Sequence, residues 1–190
     1  MSTAQSTKPP QRLIVGISGA SGIIYGVRIL QALQGTGIET HLVMSDSARI
    51  TLGAEMDLSI KDVEALASVV HNAKNIGATI SSGSFKTMGM VVAPCSIRSL
   101  SEIAYGMTTS LLTRAADVVL KERRRLVLMV RETPLHAGHL RAMTQANENG
   151  AILMPPVPAF YAKPQSLDEM VNHSVGRCLD LFDIDTDLVN

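Results

Sequence analysis

The sequence predicts an α/β protein in which helices cover both faces of a parallel sheet within one domain. Short runs rich in Val, Ile and Leu alternate with segments of helical spacing, and this alternation is typical of parallel sheets. The runs are apolar at every position rather than at every second one, which indicates strands buried on both faces. The chain has 190 residues, a length that suits a single domain.

The first half of the chain opens with a polar segment, residues 1–11, that we expect to be a disordered tail. An apolar, β-branched run then meets a glycine turn and a helical segment. The predicted elements are a strand at 13–18, a helix at 23–33, a strand at 39–44, helices at 47–55 and 60–70, a loop or short edge element at 78–88, and a strand at 90–93 that Pro94 stops.

The second half continues the alternation and ends in an acidic tail. Gly150 follows a helical segment at a position typical of helix ends, and Ser166 with Glu169 forms a predicted capping box. The predicted elements are helices at 97–105 and 111–124, a strand at 126–130, a helix at 136–149, a strand at 151–154, an extended proline loop at 155–158 and a last helix from Ser166 to about 182. We expect the domain to span 12–182 and the tail 183–190.

Composition excludes several classes of function. Lys and Arg number 17, as do Asp and Glu, so the chain lacks the basic surplus of a nucleic-acid-binding protein. It has no Trp, 3 Tyr and 3 Phe, too few for a base-stacking platform. Its 2 cysteines cannot form a disulfide framework, and it shows neither a secretory leader nor a run long enough to span a bilayer. We expect a cytoplasmic protein that binds neither membrane nor nucleic acid.

Small and polar residues follow the predicted strands, at the edge where ligands bind in open α/β sheets. These strand-end groups are 19–22, Ser45, 94–99, 131–132 and 155–161. Ser21 and Gly22 open one predicted helix. Ser96 and Ser99 open another, with Arg98 between them. Because backbone N–H groups and the helix dipole at such starts favour an anion, we expect this edge to bind a phosphate.

The spacing of the glycines does not identify the ligand. Gly16, Gly19 and Gly22 are spaced as G-x-x-G-x-x-G, which differs from the G-x-G-x-x-G of dinucleotide-binding folds. Asp46 nevertheless stands at a distance suited to a ribose-binding acid, so NAD remains an alternative on the residues alone. A tight turn that binds no ligand is a second alternative.

Charged residues add candidates of two kinds. Arg114 and Lys121 are seven residues apart and share one face of a predicted helix, whereas 123–125 is expected to be a solvated helix end. Arg131 follows an apolar strand beside Glu132. In that position Arg131 belongs either to a structural ion pair or to a site, and we favour the site.

Histidine and cysteine give weaker signals. His136 and His139 are three residues apart, but no third metal ligand has a recognisable spacing, so we expect a capping or surface role. Cys95 follows a predicted strand, where a small buried residue is commoner than a nucleophile.

Taken together, these motifs resemble a known family over nearly the whole chain, from Leu13 to about Phe182. They are Gly-Ala-Ser-Gly at 19–22 with Tyr-Gly at 25–26, Thr-His-Leu-Val-Met-Ser at 40–45, Ser-Ser-Gly-Ser at 81–84, Pro-Cys-Ser at 94–96, Leu-Thr-Arg-Ala-Ala-Asp-Val-Val-Leu-Lys-Glu-Arg at 112–123, Arg-Glu-Thr-Pro at 131–134 and Pro-Ala-Phe-Tyr at 158–161 before Pro164. The chain resembles the UbiX-type flavin prenyltransferases, including proteins once regarded as subunits of phenolic acid decarboxylases.

The resemblance implies a Rossmann-like, flavodoxin-type fold that assembles into dodecamers. It implies an enzyme that joins a dimethylallyl group from dimethylallyl monophosphate to N5 and C6 of reduced FMN without a metal. The product, prenylated FMN, would pass to a UbiD-type decarboxylase.

The resemblance also implies roles for particular residues. Those that would bind FMN are Gly19, Ala20, Ser21, Ser45, Ser96, Ile97, Arg98, Ser99 and Arg131. Tyr161 and Arg177 would bind the prenyl phosphate, and Arg114, Lys121 and Glu132 would line its pocket. The residues expected to be catalytic are Ser21, Glu55, Lys121 and Glu132. Cationic groups would stabilise the departing phosphate, and Glu55, assisted by that phosphate, would move the proton.

Two other functions remain open at this point. One is a non-catalytic FMN-binding subunit of a phenolic acid decarboxylase, against which the retention of Lys121, Tyr161 and Arg177 argues. The other is a flavin-dependent cysteine decarboxylase. The resemblance to that group is weaker, because its members carry a His in the first helix and a Pro-Ala-Ser-Ala-Asn segment. This chain has Ile-Ile-Tyr at 23–25 and Pro-Cys-Ser at 94–96 instead.

Overall fold

The fold is a six-stranded sheet in the order β3-β2-β1-β4-β5-β6, in which every neighbouring pair is parallel. The computed structural model describes residues 11–188. The strands are β1 Arg12–Ile17, β2 Glu39–Met44, β3 Val69–His71, β4 Gly89–Cys95, β5 Arg125–Val130 and β6 Ile152–Leu153.

Seven α-helices are present in this part of the chain, with short 3₁₀ turns at Thr79–Ser81 and Phe160–Ala162. The helices are α1 Ile23–Leu33, α2 Asp46–Glu55, α3 Ile60–Glu64, α4 Ile97–Ala104, α5 Leu111–Lys121, α6 Ala137–Glu148 and α7 Leu167–Asp180. The predicted alternation of buried parallel strands and helices is confirmed.

The core is divided by the sheet into two layers, as expected for strands that are apolar at every position. Val15 and Ile17 of β1 pack on one face with α1, α2, α3 and α7. Ile14, the residue before Val15, packs on the other face with α4, α5 and α6. Because successive side chains of a strand point to opposite faces, the buried strands β1, β2, β4 and β5 contribute to both layers.

Two predicted elements are wrong in detail. The helix predicted over 60–70 ends at Glu64, and Val69–His71 instead forms the edge strand β3 beside β2. Reciprocal hydrogen bonds hold the start of this strand: Ser68 N donates to Thr40 Oγ1 (2.9 Å) and Thr40 N to Ser68 Oγ (3.1 Å). The strand predicted to stop at Pro94 continues to Cys95, because its register against β5 shifts between Val92 and Cys95 and accommodates the proline.

The sheet is of the flavodoxin type. Without the three-residue edge strand β3, its remaining strands have the flavodoxin order 2-1-3-4-5 when they are renumbered. The chain leaves β1 towards one side of the sheet and β4 towards the other, so the crevice at the carboxyl ends of β1 and β4 is the place where such sheets bind ligands.

The predicted N-terminal tail lies mostly outside the described residues, and the predicted C-terminal tail begins too early. Residues 1–10, which hold most of the predicted N-terminal tail, lie outside the described residues. At the other end, Phe182 and Ile184 are buried against the core, so packing extends past the predicted limit at 182. Between residues 11 and 188 no helix combines the length and the apolar character needed to cross a bilayer.

Candidate functional site

Ser18 joins the carboxyl ends of β1 and β4. Its hydroxyl donates to the carbonyl oxygen of Pro94 (2.9 Å) and accepts from the backbone N–H of Ser96 (2.7 Å). The side chain is fully buried, so these bonds fix the loop after β1 against the start of α4. Sequence reasoning missed Ser18, although a hydroxyl at the end of an apolar strand was a signal that could have found it.

The N-terminus of α1 binds a carboxylate of the protein itself. Glu55, at the end of α2, accepts hydrogen bonds from the backbone N–H of Gly22 (2.9 Å) and of Ile23 (3.0 Å). Gly22 has a φ of 97° and provides no side-chain cap, so the Glu55 carboxylate takes the place of one. At this helix start, where a ligand phosphate was expected, the structure thus has a carboxylate of the chain itself, 33 residues away in sequence.

Glu55 is held as a carboxylate. Burial raises its pKa, but hydrogen bonds from Ser21 and from the backbone of Ile23 and Gly22, together with the charge of Arg131, outweigh burial and lower the pKa below its usual value. The side chain expected to move a proton thus starts as an anion that contacts Ser21.

Three helices begin around one cleft of about 440 Å³, which we call the serine cleft. The serines that cap these helices, Ser45 of α2, Ser96 of α4 and Ser110 of α5, each accept a hydrogen bond from a backbone N–H in the first turn. Ser99 lies one turn into α4 and its hydroxyl accepts from that of Ser96 (3.2 Å). Three helix dipoles and several hydroxyls therefore converge where an anion would be stabilised.

Charges in the serine cleft occur in two pairs. Arg98 Nε donates to Glu102 (3.0 Å), whose other carboxylate oxygen accepts from the Thr109 hydroxyl (2.7 Å). Lys74 Nζ lies 3.6 Å from the Asp46 carboxylate, and both side chains are mostly exposed. The first pair is tightly bonded and the second is loose.

A second cavity, of about 470 Å³, is lined by Ser21 and Gly22 of the loop at 19–22, and we call it the apolar cavity. Ser21, Tyr25 and Arg131 line it together with a wall of apolar side chains contributed by Ile24, Pro156, Pro158, Leu167, Met170 and Val171. Burial raises the pKa of Tyr25, and the positive charge of Arg131 opposes that rise.

Arg28 fixes α7 as one wall of the apolar cavity. From α1 its guanidinium donates to Asp168 (2.8 Å) and to Asn172, both on α7, and its Nε donates to Gln31 (3.1 Å). Sequence reasoning missed Arg28, since only the fold brings these two helices together.

The FMN-binding residues implied by the resemblance all lie on this edge. Gly19 is so close to Ser47 that a Cβ atom at position 19 would collide with the Ser47 hydroxyl, and the backbone N–H of Ala20 donates to the Ser18 carbonyl (3.0 Å). Ile97 is the first residue of α4. Arg131 is held by its backbone N–H, which donates to the Cys95 carbonyl (3.0 Å).

Tyr161 and Arg177 both lie near His173 of α7, Tyr161 from the preceding 3₁₀ turn and Arg177 from α7 itself. The Tyr161 hydroxyl is 3.5 Å from His173 Nε2, and the two rings meet edge to face. Arg177 lies one turn after His173 on the same face of the helix and donates to Asp180 (2.5 Å). Glu132 is exposed, and its carboxylate accepts from the backbone N–H of Thr133 (3.0 Å).

Lys121 lies at the opposite, amino edge of the sheet from these groups. It ends α5 just before the first residues of β5, and its ammonium donates to Glu122 (2.9 Å). Arg114 pairs with Asp117 on the same helix (2.8 Å). One copy of the chain therefore does not bring Lys121 into contact with the carboxyl edge.

Other predictions have mixed outcomes. His136 caps α6, because its Nδ1 accepts from the backbone N–H of Gly138 (3.0 Å), and burial raises the pKa of Cys95 to about 12, as befits a core thiol. The expectation of a solvated helix end is wrong for Arg124, which donates to the carbonyl oxygens of Gly83 (2.6 Å) and Phe85 (2.7 Å). No cluster of three or more His, Cys, Asp or Glu suited to a metal ion occurs within residues 11–188.

Flavoproteins are one class that uses a flavodoxin-type sheet with a ligand cleft at its switch point. The chain belongs to this class, because the model of the Flavoprotein family matches residues 1–179. Flavin prenyltransferase UbiX of Escherichia coli K12 is 67% identical over 175 residues, which cover 92% of this chain and 93% of that protein. Flavin prenyltransferase UbiX of Thauera aromatica is 62% identical over 177 residues, covering 93% and 91%. The chain belongs to the UbiX flavin prenyltransferase family.

Solved structures agree with this family. AnUbiX (PadA1) in complex with FMN and dimethylallyl pyrophosphate gives a TM-score of 0.94 at 48% identity, covering 96% of this chain and 97% of that one. A dodecameric FMN-dependent UbiX-like decarboxylase from Escherichia coli O157:H7 gives 0.92 at 48% identity, covering 95% and 98%. The cysteine decarboxylase SpaF, at 18% identity and a TM-score of 0.63 over 76% of this chain and 83% of that one, shares the fold alone.

Proposed function

We propose that this chain joins a dimethylallyl group from dimethylallyl monophosphate to N5 and C6 of reduced FMN. The observation that carries the proposal is the pair of cavities lined by residues that follow the strands at the carboxyl edge of the sheet. The serine cleft suits a phosphate, and the apolar cavity lies beside Ser21 and Arg131. A flavin nucleotide has the same division between an anionic end and a flat aromatic end, so these residues fit FMN.

Reduced FMN, when bound, supplies the nucleophilic N5 and C6 atoms. The residues that would hold it are Gly19, Ala20, Ser21, Ser45, Ser96, Ile97, Arg98, Ser99 and Arg131. Hydroxyls and helix N-termini suit its phosphate end, and the Arg131 guanidinium, which faces Tyr25 and Glu55, is the cation nearest Ser21 at its ring end.

The prenyl phosphate would be bound by Tyr161 and Arg177. An allylic phosphate leaves when its developing negative charge is stabilised, and cations already in place stabilise that charge without reorganisation. Tyr161 donates a hydrogen bond from a mostly exposed hydroxyl, and Arg177, also exposed, gives up a surface pair with Asp180 at little cost.

Lys121 and Arg114 would act from a neighbouring copy of the chain. Lys121 lies at the amino edge of its own sheet, so it can meet a prenyl phosphate at the carboxyl edge only across an interface. This requirement supports an assembled enzyme, and we propose a dodecamer. Glu132, exposed after β5, would face the same interface.

Glu55 would transfer the proton of ring closure, which C6 gives up as it bonds to the allyl group and which the other carbon of the allyl double bond takes up. Its carboxylate contacts Ser21 and is ionised at neutral pH because its pKa is lowered, so it can take a proton through the Ser21 hydroxyl. Since a lowered pKa also makes it a weak base, the released phosphate would share this task.

The product would leave for a UbiD-type decarboxylase. We also propose that the protein works in the cytoplasm, where its two buried free thiols, Cys95 and Cys178, stay reduced.

One anaerobic assay tests the proposed reaction. The pure protein is incubated with reduced FMN and dimethylallyl monophosphate, and mass spectrometry measures whether the flavin gains one five-carbon unit. We expect the heavier flavin with and without EDTA. Parallel reactions with dimethylallyl pyrophosphate identify the preferred donor. If the flavin binds tightly but is not prenylated, the protein is a non-catalytic FMN carrier and not an enzyme. Loss of turnover in EDTA would contradict the metal-free mechanism.

A further inference from the structure

The serine cleft contains a lysine that has no assigned role. Lys74 lies in the loop after β3 and lines the cleft together with the three helix-capping serines. Its backbone is held in two ways. Its N–H donates to the Asn72 side chain (2.9 Å), and the carbonyl of the preceding Ala73 accepts from the N–H of Leu111, the first residue of α5 (2.9 Å). The lysine is thus carried on a turn docked to a helix N-terminus.

We propose that Lys74 is a binding residue for the phosphate of FMN in the serine cleft. This inference rests on the proposed function, because it takes FMN as the ligand. It adds a cation from a part of the chain that supplies none of the FMN-binding residues inferred above.

The pairing of charges in the cleft points to Lys74 as a cation that acts in addition to Arg98. Arg98 is bonded through Nε to Glu102, whose side chain is 11% exposed, and the Thr109 hydroxyl fixes the same carboxylate. Breaking that pair would leave a nearly buried charge without its cation, which is costly. The Nε group of Arg98 is therefore committed to Glu102, whereas the rest of its guanidinium, on a side chain that is 84% exposed, can still face FMN.

Lys74 is free to change partner. Its ammonium lies 3.6 Å from Asp46, and the two side chains are 79% and 71% exposed, so the pair contributes little to stability. A phosphate at the starts of α2, α4 and α5 carries more negative charge than one carboxylate and offers several acceptor oxygens. The ammonium gains more from the phosphate than it loses from Asp46.

Asp46 has the opposite expected effect. Its carboxylate lies in the same cleft and repels a phosphate bound there. Lys74 and Asp46 therefore form a matched pair of variants whose effects on FMN should have opposite signs.

The test compares FMN with riboflavin, which has the same ring and no phosphate. Dissociation constants of both oxidised flavins are measured by fluorescence quenching for the wild type, Lys74→Gln, Asp46→Asn and the control Lys61→Gln, an exposed lysine on α3 outside the cleft. We expect Lys74→Gln to weaken FMN about fivefold, as for a partly screened charge, and Asp46→Asn to strengthen it about threefold. Riboflavin should bind equally to all four proteins, and this equality also reports that each variant is folded.

Three results would overturn the inference. Equal weakening of FMN and riboflavin by Lys74→Gln would assign Lys74 to the structure of the loop. Unchanged FMN binding with a raised KM for dimethylallyl monophosphate would assign the cleft to the prenyl donor. Unchanged values for both would leave Lys74 without a role, and if the wild type still prenylates FMN, the proposed function stands. If the wild-type protein binds FMN but does not prenylate it, the proposed reaction is wrong. The comparison of FMN and riboflavin binding still tests the role of Lys74 in that case.

Discussion

The two edges of the sheet satisfy their polar groups in different ways. At the carboxyl edge, serines and one carboxylate bond to backbone N–H groups at helix starts, and open cavities remain beside them. At the amino edge, side chains bond to one another. Arg12 donates to Glu39 (2.9 Å), and Glu39 bonds to His41 (2.7 Å). His41 in turn bonds to His71, the last residue of β3 (2.9 Å).

Cavity size alone does not distinguish these edges. A cavity of about 740 Å³, larger than either one at the carboxyl edge, lies between the end of α1 and the start of β3. The polar groups there, Thr40 and Ser68, already bond to each other. Donors that remain available to a ligand, rather than volume, therefore mark the functional edge.

Lys121 is the exception that tests this comparison most strongly, because it lies at the amino edge and is expected to act in catalysis. We expect Lys121→Ala to slow prenyl transfer about a thousandfold, since it removes a charge that stabilises the leaving phosphate. Its exposed pair with Glu122 contributes little to stability, so thermal unfolding should be unchanged. Steady-state turnover and a melting curve measure the two effects.

Mixed assemblies show whether Lys121 acts in a neighbouring copy. Lys121→Ala and Glu55→Gln subunits are each expected to be nearly inactive, but exchange between them creates some sites with both native residues. Activity should return on mixing. If native mass spectrometry shows exchange and no activity returns, Lys121 does not act across an interface.

Glu55 is the corresponding test at the carboxyl edge. We expect Glu55→Gln to lower kcat about a hundredfold, because it removes the base while keeping an oxygen that can accept from Gly22. Its lowered pKa means that the carboxylate stabilises the fold above pH about 4.3, the unfolded value, and that this contribution is lost as pH falls towards the folded pKa. The unfolding free energies of wild type and variant should therefore converge in acid.

A matched substitution separates these two roles of Glu55. Glu64→Gln removes a carboxylate that pairs with Arg49 at the end of α3 (2.9 Å), outside the proposed site. It should leave turnover near the wild-type value. An equal loss of kcat in both variants would show that Glu55 supports only the structure.

The strands and most helices could be predicted because their apolar patterns are local. The failure at β3 is instructive. Ile60, Val63, Leu66 and Val70 have helical spacing, but Ser68 bonds to Thr40, 28 residues earlier. A pairing over that distance leaves no periodic signal, and the sheet edge overrides the local pattern.

The candidate site was predictable only in part for the same reason. Short hydroxyl residues after strands mark Ser21, Ser45 and Ser96 directly. Nothing near Glu55 in the sequence indicates that it binds the start of α1, and its role came from the resemblance alone. The spacing of Arg114 and Lys121 shows that they share one face of a helix. It does not show whether Lys121 serves its own site or that of a neighbouring copy of the chain.

Arg124 is a cation at the amino edge with a structural role, in contrast to the catalytic role expected for Lys121. Its two hydrogen bonds to the carbonyls of Gly83 and Phe85 would be lost in Arg124→Ala, which should lower the unfolding free energy by about 2 kcal/mol without changing FMN binding. Arg123→Ala, at an exposed neighbour, should change it by less than about 0.5 kcal/mol. Urea denaturation measures both, and equal losses would contradict the assignment.

The smallest expected effect concerns the histidine pair that joins β2 to the last residue of β3. Burial, and then the charge of His41, lower the pKa of His71. The unfolded chain therefore takes up a proton near pH 6.5 that the folded one resists, and the unfolding free energy should fall as pH drops from about 6.5 towards the folded pKa. His71→Asn should flatten this slope in urea titrations between pH about 8 and about 5, whereas His173→Gln, on α7 outside the pair, should not. If the slope survives His71→Asn, protonation of His71 is not what lowers the unfolding free energy, and the burial of this ring beside His41 does not resist protonation.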